Sequence, residues 1–142
     1  MASNTFSVGR DCQLVLQGPF GRVDLSHVTG FESRQLTAPI RVDRIDGSQL
    51  AAELPKGWEG HFDLERGGST VDDFIARIEA AYVAGGPIPS GTLYQYVQES
   101  DGSTSTYQYE GAVFKLTMAG QWRGDQSVKQ RLDFFASRRK RV

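Results

Sequence analysis

Cysteine is nearly absent from this sequence, since Cys12 is the only one among 142 residues. One cysteine cannot form an internal disulfide, and it supplies no cysteine-rich zinc cluster. Long apolar runs are absent too, because none approaches the ~20 residues that a membrane-spanning helix needs. The sequence therefore excludes a disulfide-stapled scaffold, predicts no membrane insertion, and favours folding in a reducing cytoplasm.

Recognisable sites for chemistry are also missing. The two histidines, His27 and His61, have no second histidine or cysteine at metal-ligand spacing. No serine lies in a Gly-x-Ser-x-Gly elbow, and the Gly-Gly-Ser-Thr segment at residues 67–70 is not followed by the lysine of a phosphate loop. We therefore predict no catalytic, cofactor-binding or metal-binding residues, no cofactor, and no enzymatic activity. The first ten residues lack a basic start followed by an apolar stretch, so we expect no secretory signal.

Two sets of residues require a choice between chemistry and structure. Glu59, Asp63 and Glu65 alternate along one predicted strand beside His61, and paired carboxylates can catalyse glycoside hydrolysis. Their regular alternation fits a solvated or interface face of the strand better. Cys12 could be a nucleophile, but it alternates with leucines on an early strand and is better interpreted as a small core residue.

The charges are unevenly distributed along the chain. Sixteen basic and seventeen acidic residues give a net charge of −1. Without the four basic residues at positions 138–141, the body of the chain carries −5. Nucleic-acid binding needs a spread cationic surface, so an acidic body argues against it as the main function. Because Phe134 and Phe135 directly precede the basic residues, we expect these cations at the end of a strand, not on a loose tail.

Alternating apolar and polar residues predict strands in the first half of the chain. Residues 11–28 indicate two strands around the turn at residues 18–21. Residues 29–46 indicate a long polar strand or hairpin arm, interrupted near Pro39, whose mixed faces suit a strand that another chain covers. Residues 56–66 indicate a further strand with Trp58, Phe62 and Leu64 facing inward, and its two glycines allow a bend or a close backbone approach.

One helix is predicted, at about residues 71–84. Ser69 and Thr70 can cap its start, and Gly85-Gly86-Pro87 ends it. A single apolar stripe at helical spacing supports the assignment. Its members are Val71, Phe74, Ile75, Ile78 and Tyr82.

The last third of the chain predicts a β-hairpin and a final strand. Asp101-Gly102 lies between two alternating segments, which is a strong hairpin signal. A two-residue turn would place Tyr94 opposite Tyr109 and Tyr96 opposite Tyr107, all on one face. The final strand covers residues 127–136. Together these elements predict a mainly β fold, an antiparallel sandwich or partly closed barrel with one flanking helix. We expect one domain over residues 1–142, with an arm at about residues 29–56 and a basic end at 138–142.

Several segments, taken in their order along the chain, resemble the tail tube proteins of contractile-tailed bacteriophages. The resemblance covers about the last 85 residues and depends on the order of the segments, since none is a chemical signature. The matching segments are Gly-Trp-Glu-Gly-His-Phe at residues 57–62, the helix from Val71 to Tyr82, the Asp101-Gly102 hairpin, residues 111–122, and residues 128–139.

The resemblance implies a structural subunit of a viral tail. Such proteins fold as a small β-sandwich with one helix and join into hexameric rings whose strands close a larger barrel. The rings stack into a tube inside a contractile sheath, around a tape-measure protein and later around phage DNA. The implied partners are thus copies of itself, the sheath, the tape-measure protein, DNA, and the baseplate and terminator proteins. The implied location is the virion, after synthesis in the bacterial cytoplasm.

Two features of the sequence fit this implied role. Open strand edges are normally covered, and a ring removes them. The surplus of carboxylates suits an acidic lumen that repels phosphate, with the basic end at a contact between rings or with the sheath. The alternatives are a tube initiator or baseplate-proximal adaptor ring with the same fold, and a small ligand-binding β-barrel. An enzyme is the least supported alternative.

Overall fold

The computed structural model describes residues 7–23, 25 and 27–142. It confirms a mainly β, antiparallel fold with one flanking helix, in which the sheet does not close into a barrel. Residues 1–6, which belong to the stretch where no secretory signal is expected, lie outside the described residues. The elements are a 3₁₀ turn at Gly9–Asp11, the strands β1 (Cys12–Gly18), β2 (Gly21–Val23), β3 (Val28–Asp43), β4 (Gln49–Glu65), β5 (Gly91–Gln98), β6 (Thr104–Met118), β7 (Lys129–Ala136) and β8 (Arg138–Arg141), and the helix α1 (Thr70–Val83).

The strands form two layers that share the long strand β6. Its first half pairs with β5 and β8, and its second half pairs with β7. The chain bends between the halves at Gly111, which has a φ of +62°. We call the layer of β2, β1, β5, the first half of β6 and β8 sheet A, and the layer of β3, β4, β7 and the second half of β6 sheet B.

The core between the sheets is centred on aromatic rings. Tyr109 and Phe134 are buried, with ring centroids 5.3 Å apart, and Phe31 and Trp58 pack against them from β3 and β4. Trp58 therefore faces inward, as its alternation predicted. The Tyr109 hydroxyl lies 3.0 Å from the Ser33 hydroxyl, so this core residue links sheet A to sheet B.

The hairpin of β3 and β4 differs from the prediction at Pro39. β3 is continuous from Val28 to Asp43, because an edge strand tolerates a proline whose nitrogen lacks a hydrogen. β4 is longer than predicted and begins at Gln49. The register shifts beside Gly57, whose φ is +115°, and Gly60 lies against the β3 backbone at Glu32. The two glycines thus provide the bend and the close approach that their positions indicated.

The hairpin of β5 and β6 has a different register from the predicted one. Glu99 N donates to the carbonyl of Ser103, and Gly102 N donates to the carbonyl of Glu99. The loop therefore has three residues, with Gly102 at a φ of +92°. A one-residue slip turns every side chain of one strand to the other face. As a result Tyr94 and Tyr96 lie opposite Gln108 and Thr106, on the other face from Tyr107 and Tyr109.

The helix and the first hairpin follow the prediction closely. α1 covers Thr70–Val83, and backbone bonds from Gly85 and Gly86 close its end. The predicted side-chain cap is not formed, because the Ser69 hydroxyl donates to the Asp73 carboxylate. β1 and β2 form the predicted first hairpin. The predicted return strand ends early at Val23, and Ser26 of that segment lies outside the described residues.

Candidate self-assembly surface

The outer part of the β3–β4 hairpin, residues 37–55, forms a two-stranded ribbon that we call the arm. Residues directly opposite each other in an antiparallel pair point to the same face. Ile40 lies opposite Ala52, and Val42 lies opposite Leu50. One face of the arm is therefore apolar. Its other face carries the charged and polar residues, such as Arg41 opposite Ala51, Glu53 opposite Pro39, and Asp43 opposite Gln49.

The apolar face of the arm is uncovered by any described part of the chain. Ile40, Val42, Leu50 and Leu54 are each between 40% and 47% exposed. Isolated two-stranded ribbons are marginally stable in water, and contiguous exposed apolar patches mark interaction sites. Burying the exposed half of each of these side chains would contribute on the order of 1 kcal/mol. The arm thus has the character of a surface that another chain covers.

Sheet B has two open edges in the described structure. β3 pairs only with β4, so its other edge is open along all 16 residues. The second half of β6 pairs with β7, whereas β5 leaves β6 at Ala112. A sheet with two open edges can join to copies of itself on both sides, and open edges of this length are normally covered in native proteins.

The outward face of sheet B carries the acidic strand residues in ion pairs. Glu59 pairs with Arg34, and Asp63 pairs with Arg131 at 2.7 Å. Nε2 of His61 lies 3.9 Å from the Glu32 carboxylate on the same face. Glu59 and Asp63 therefore neutralise neighbouring cations, and this arrangement suits an interface or a lining better than acid–base chemistry. Glu65, the third carboxylate singled out in the sequence, forms no ion pair with the described residues, and its Oε2 is buried without a hydrogen-bond partner there.

The remaining candidate residues are dispersed. His27 is exposed at a turn, with a φ of +80°, and contacts Gly67 far from His61. Cys12 is half-buried on β1, where the Gln95 amide donates to its sulfur at 3.4 Å. Within the described part of the chain, His, Cys, Asp and Glu side chains form no group of three that could bind a metal ion. None of the described residues belongs to a helix long and apolar enough to traverse a lipid bilayer.

The basic residues near the C-terminus are docked and not a loose tail, as their position after two phenylalanines predicted. They do not extend the strand predicted at residues 127–136, however, but form a separate strand, β8, against the first half of β6. The Arg139 guanidinium stacks over the rings of Tyr107 and Trp58, at 3.8 and 4.8 Å from their centroids. Nζ of Lys140 lies 3.1 Å from the Glu110 carboxylate. Sequence reasoning missed this aromatic clamp, because its members come from three separated strands.

The two hairpin tips share the sequence Asp-Gly-Ser and the same hydrogen bonds. Oδ1 of Asp46 accepts bonds from the hydroxyl and the amide of Ser48, and Asp101 does the same with Ser103. These bonds, led by the one from the serine hydroxyl, hold the pKa of each carboxyl below its usual value. The tip of the arm is therefore a defined turn that carries a negative charge.

No protein-family model matches this chain, and no curated protein matches it significantly. Solved structures are similar to it in fold. A chain of the sheath–tube complex of an extracellular contractile injection system, PVC, in its extended state, matches with a TM-score of 0.63 at 11% identity, over 92% of this chain and 88% of that one. A chain of the tube terminating cap of the anti-feeding prophage matches with a TM-score of 0.64 at 11% identity, over 100% of this chain and 94% of that one.

Two further matches come from the same kinds of assembly. The sheath/tube terminator of PVC has a TM-score of 0.63 at 11% identity, over 92% of this chain and 93% of that one. A chain of the anti-feeding prophage baseplate, solved with six-fold symmetrisation, matches with a TM-score of 0.57 at 7% identity, over 98% of this chain and 97% of that one. At these identities the likeness establishes the fold, which is the tube-type fold of contractile tails.

Proposed function

We propose that this chain, which has the tube-type fold of contractile tails, is a structural and non-enzymatic subunit of a tail tube. The whole chain, residues 1–142, acts as one tail-tube-like domain in this proposal. Its copies form hexameric rings, and the rings stack into a hollow conduit inside a contractile sheath. The observation that carries the proposal is sheet B, whose four strands end in two open edges beside an uncovered apolar arm.

Ring closure follows from those two edges. The outer edge of β3 in one copy would pair with the second half of β6 in the next copy, so that both edges are satisfied. Repetition around a ring gives a closed barrel with no remaining sheet-B edge. Six copies agree with the six-fold symmetry of the anti-feeding prophage baseplate, one of the structures similar in fold.

The outward face of sheet B would then line the lumen. Arg34 with Glu59 and Arg131 with Asp63 make much of this wall ion-paired. Glu32 and Asp133 add carboxylates to the same face, and Lys115 and Lys129 add amino groups. Such a wall has no excess of positive charge to hold phosphates, so DNA or a tape-measure protein could slide along it. The tube would sit in a phage virion or a phage-derived particle, made in the bacterial cytoplasm, with sheath, baseplate and terminator proteins as its other partners.

The alternative is a tube initiator, terminator, cap or baseplate-proximal adaptor ring. It is favoured by the likeness to the PVC terminator and to the anti-feeding prophage cap, which score as highly as the sheath–tube chain. Electron microscopy of the purified protein at rising concentration separates the two roles. We expect long hollow tubes. Single rings that do not stack would support the adaptor, and monomers at every concentration would contradict both and favour a small ligand-binding barrel.

A further inference from the structure

The outward face of sheet A lies on the side of the molecule opposite the outward face of sheet B. Leu16, Leu93 and Tyr109 point from sheet A into the core and are fully buried. The residues that alternate with them along the strands therefore point away from the core. Because sheet B would line the lumen in the proposed tube, this second surface, which we call the outer face, would lie on the outside of the tube.

Two tyrosines lie at the centre of the outer face. Tyr94 and Tyr96 are neighbours on one face of β5, with ring centroids 6.4 Å apart, and both are only half-buried. β5 is flanked by β1 and β6, and the residues directly opposite the tyrosines carry no charge. These uncharged neighbours are Gln13, Val15, Thr106 and Gln108. Tyrosine combines a large contact area with a low entropic cost and is enriched in protein interfaces, so this centre has the composition of an interface.

The charges of the outer face lie at its margins and are mostly positive. Arg22 lies at the β2 margin, and Arg138 and Lys140 lie at the β8 margin. Among the described strand residues of this face, Glu110 is the one carboxylate, and its Oε1 lies 3.1 Å from Nζ of Lys140. The outer face therefore has an excess of positive charge, although the whole chain carries a net charge of −1. Such a surface complements a partner that carries carboxylates.

We propose that the outer face docks an acidic segment of the sheath protein, with Tyr94 and Tyr96 at the centre of the contact. The inference rests on the proposed function, which puts a sheath around the tube, and it names the docking surface and the chemistry of the partner. The cations at the margins attract the segment, and the aromatic pair supplies the buried contact area. A second copy of this chain fits the outer face less well, because two such faces would bring their excess positive charges together.

A pair of substitutions at Gln13 tests both the surface and the charge of the partner. Gln13 is exposed beside Tyr96, so its replacement changes the outer face without disturbing the core. Assembled tubes are mixed with the sheath protein of the same particle, and co-sedimentation measures its binding. Gln13→Glu should raise the Kd at least about ten-fold, whereas Gln13→Lys should leave it unchanged or lower it. The matched control is Gln126→Glu, the same change in the exposed loop between β6 and β7, which should bind like wild type.

A second measurement uses the unmodified chain, in case a Gln13 variant does not form tubes. Tetranitromethane nitrates accessible tyrosines, and mass spectrometry of the peptides locates the modified rings. Tyr94 and Tyr96 should be nitrated at least about ten-fold more slowly in sheathed tubes than in bare tubes, because the centre of a docked interface excludes water.

The outcomes separate the docking from the tube role. Tubes whose sheath binding is unaffected by Gln13→Glu, or is lost equally with Gln13→Lys, overturn the docking while leaving the tube role intact. Equal nitration of the two tyrosines with and without the sheath has the same meaning. Tubes that bind a DNA oligonucleotide instead of the sheath protein, with binding lost in Gln13→Glu, also overturn it, because the positive charge then serves nucleic acid. A chain that never assembles overturns both proposals.

Discussion

At the scale of single residues, Arg139 is the side chain that holds β8 on the body. Its guanidinium lies over three aromatic rings, those of Tyr107, Trp58 and Tyr109. A desolvated cation over an aromatic face contributes about 2 kcal/mol, and the aliphatic stem adds packing. Charge alone would not distinguish Arg139 from its neighbours, so its contribution comes from the ring faces.

We expect Arg139→Ala to lower the free energy of unfolding by about 2 kcal/mol, because the cation–π contacts and the packing of the stem are both lost. Chemical denaturation measures the change. The control is Arg138→Ala, which removes the same charge from an exposed position one residue earlier and should change stability by less than about 0.5 kcal/mol. Equal effects of the two variants would show that the aromatic clamp contributes nothing.

Tyr109 couples the core to pH. Burial raises the pKa of its phenol above the usual 10.0, against opposing effects of the Ser33 hydrogen bond and the Arg139 charge. As pH rises, Tyr109 therefore ionises in the unfolded chain before it ionises in the folded one. The contribution of the neutral, buried phenol to the free energy of unfolding is fully present below pH 10 and is lost as pH rises through the higher pKa of the folded state. In unfolding measured from pH 9 to 11, the wild-type chain should lose stability more steeply than Tyr109→Phe. Parallel pH profiles would contradict this assignment.

At the scale of elements, the arm offers positions where a substitution should change assembly without changing the fold of one copy. Its two faces differ in character although their residues alternate along the same strands. Ala52 lies on the apolar face opposite Ile40, and its neighbour Ala51 lies on the polar face opposite Arg41. Both alanines are exposed, so neither contributes to the core of one copy.

We expect Ala52→Lys to block assembly, because it places a charge in the surface that another copy would cover. The concentration needed for assembly should rise at least about ten-fold, which corresponds to about 1.4 kcal/mol per contact. Ala51→Lys adds the same side chain to the polar face and should assemble like wild type. Sedimentation measures assembly, and thermal unfolding checks that both variants fold. Assembly that is equally impaired or equally normal in the two variants would rule out the apolar face as the contact.

The elements also show what the sequence could predict. Amphipathic spacing placed α1 and the strand from Trp58 correctly, because each buries a regular stripe of its own residues. The register at Asp101-Gly102 was wrong, since the sequence fits both a two-residue turn and the observed three-residue loop. Pro39 was interpreted as an interruption, because the edge position of β3 that tolerates it depends on the order of strands in the sheet, which the local sequence does not reveal. The pocket beside Cys12, between the starts of β1 and β3, depends on how the two sheets diverge, which no local pattern encodes.

At the scale of the whole molecule, the described fold leaves two features uncovered, the open edges of sheet B and the apolar face of the arm. The open edges of sheet B lie at its two sides, where neighbours in a ring would join. The arm, at the far end of β3, leaves its apolar face uncovered by the described chain. Pairing at the edges would satisfy backbone groups, whereas a cover on the arm would bury apolar side chains. The proposed tube would use both kinds of contact, and one copy alone satisfies neither.

The most direct test is a cryo-electron microscopy reconstruction of the assembled protein at a resolution that separates strands. The account predicts a closed ring in which β3 of each copy is hydrogen-bonded to the second half of β6 in the next, with ion pairs such as Arg34 with Glu59 lining the lumen. Rings joined through sheet A instead, or copies in which both edges of sheet B remain open to solvent, would contradict it.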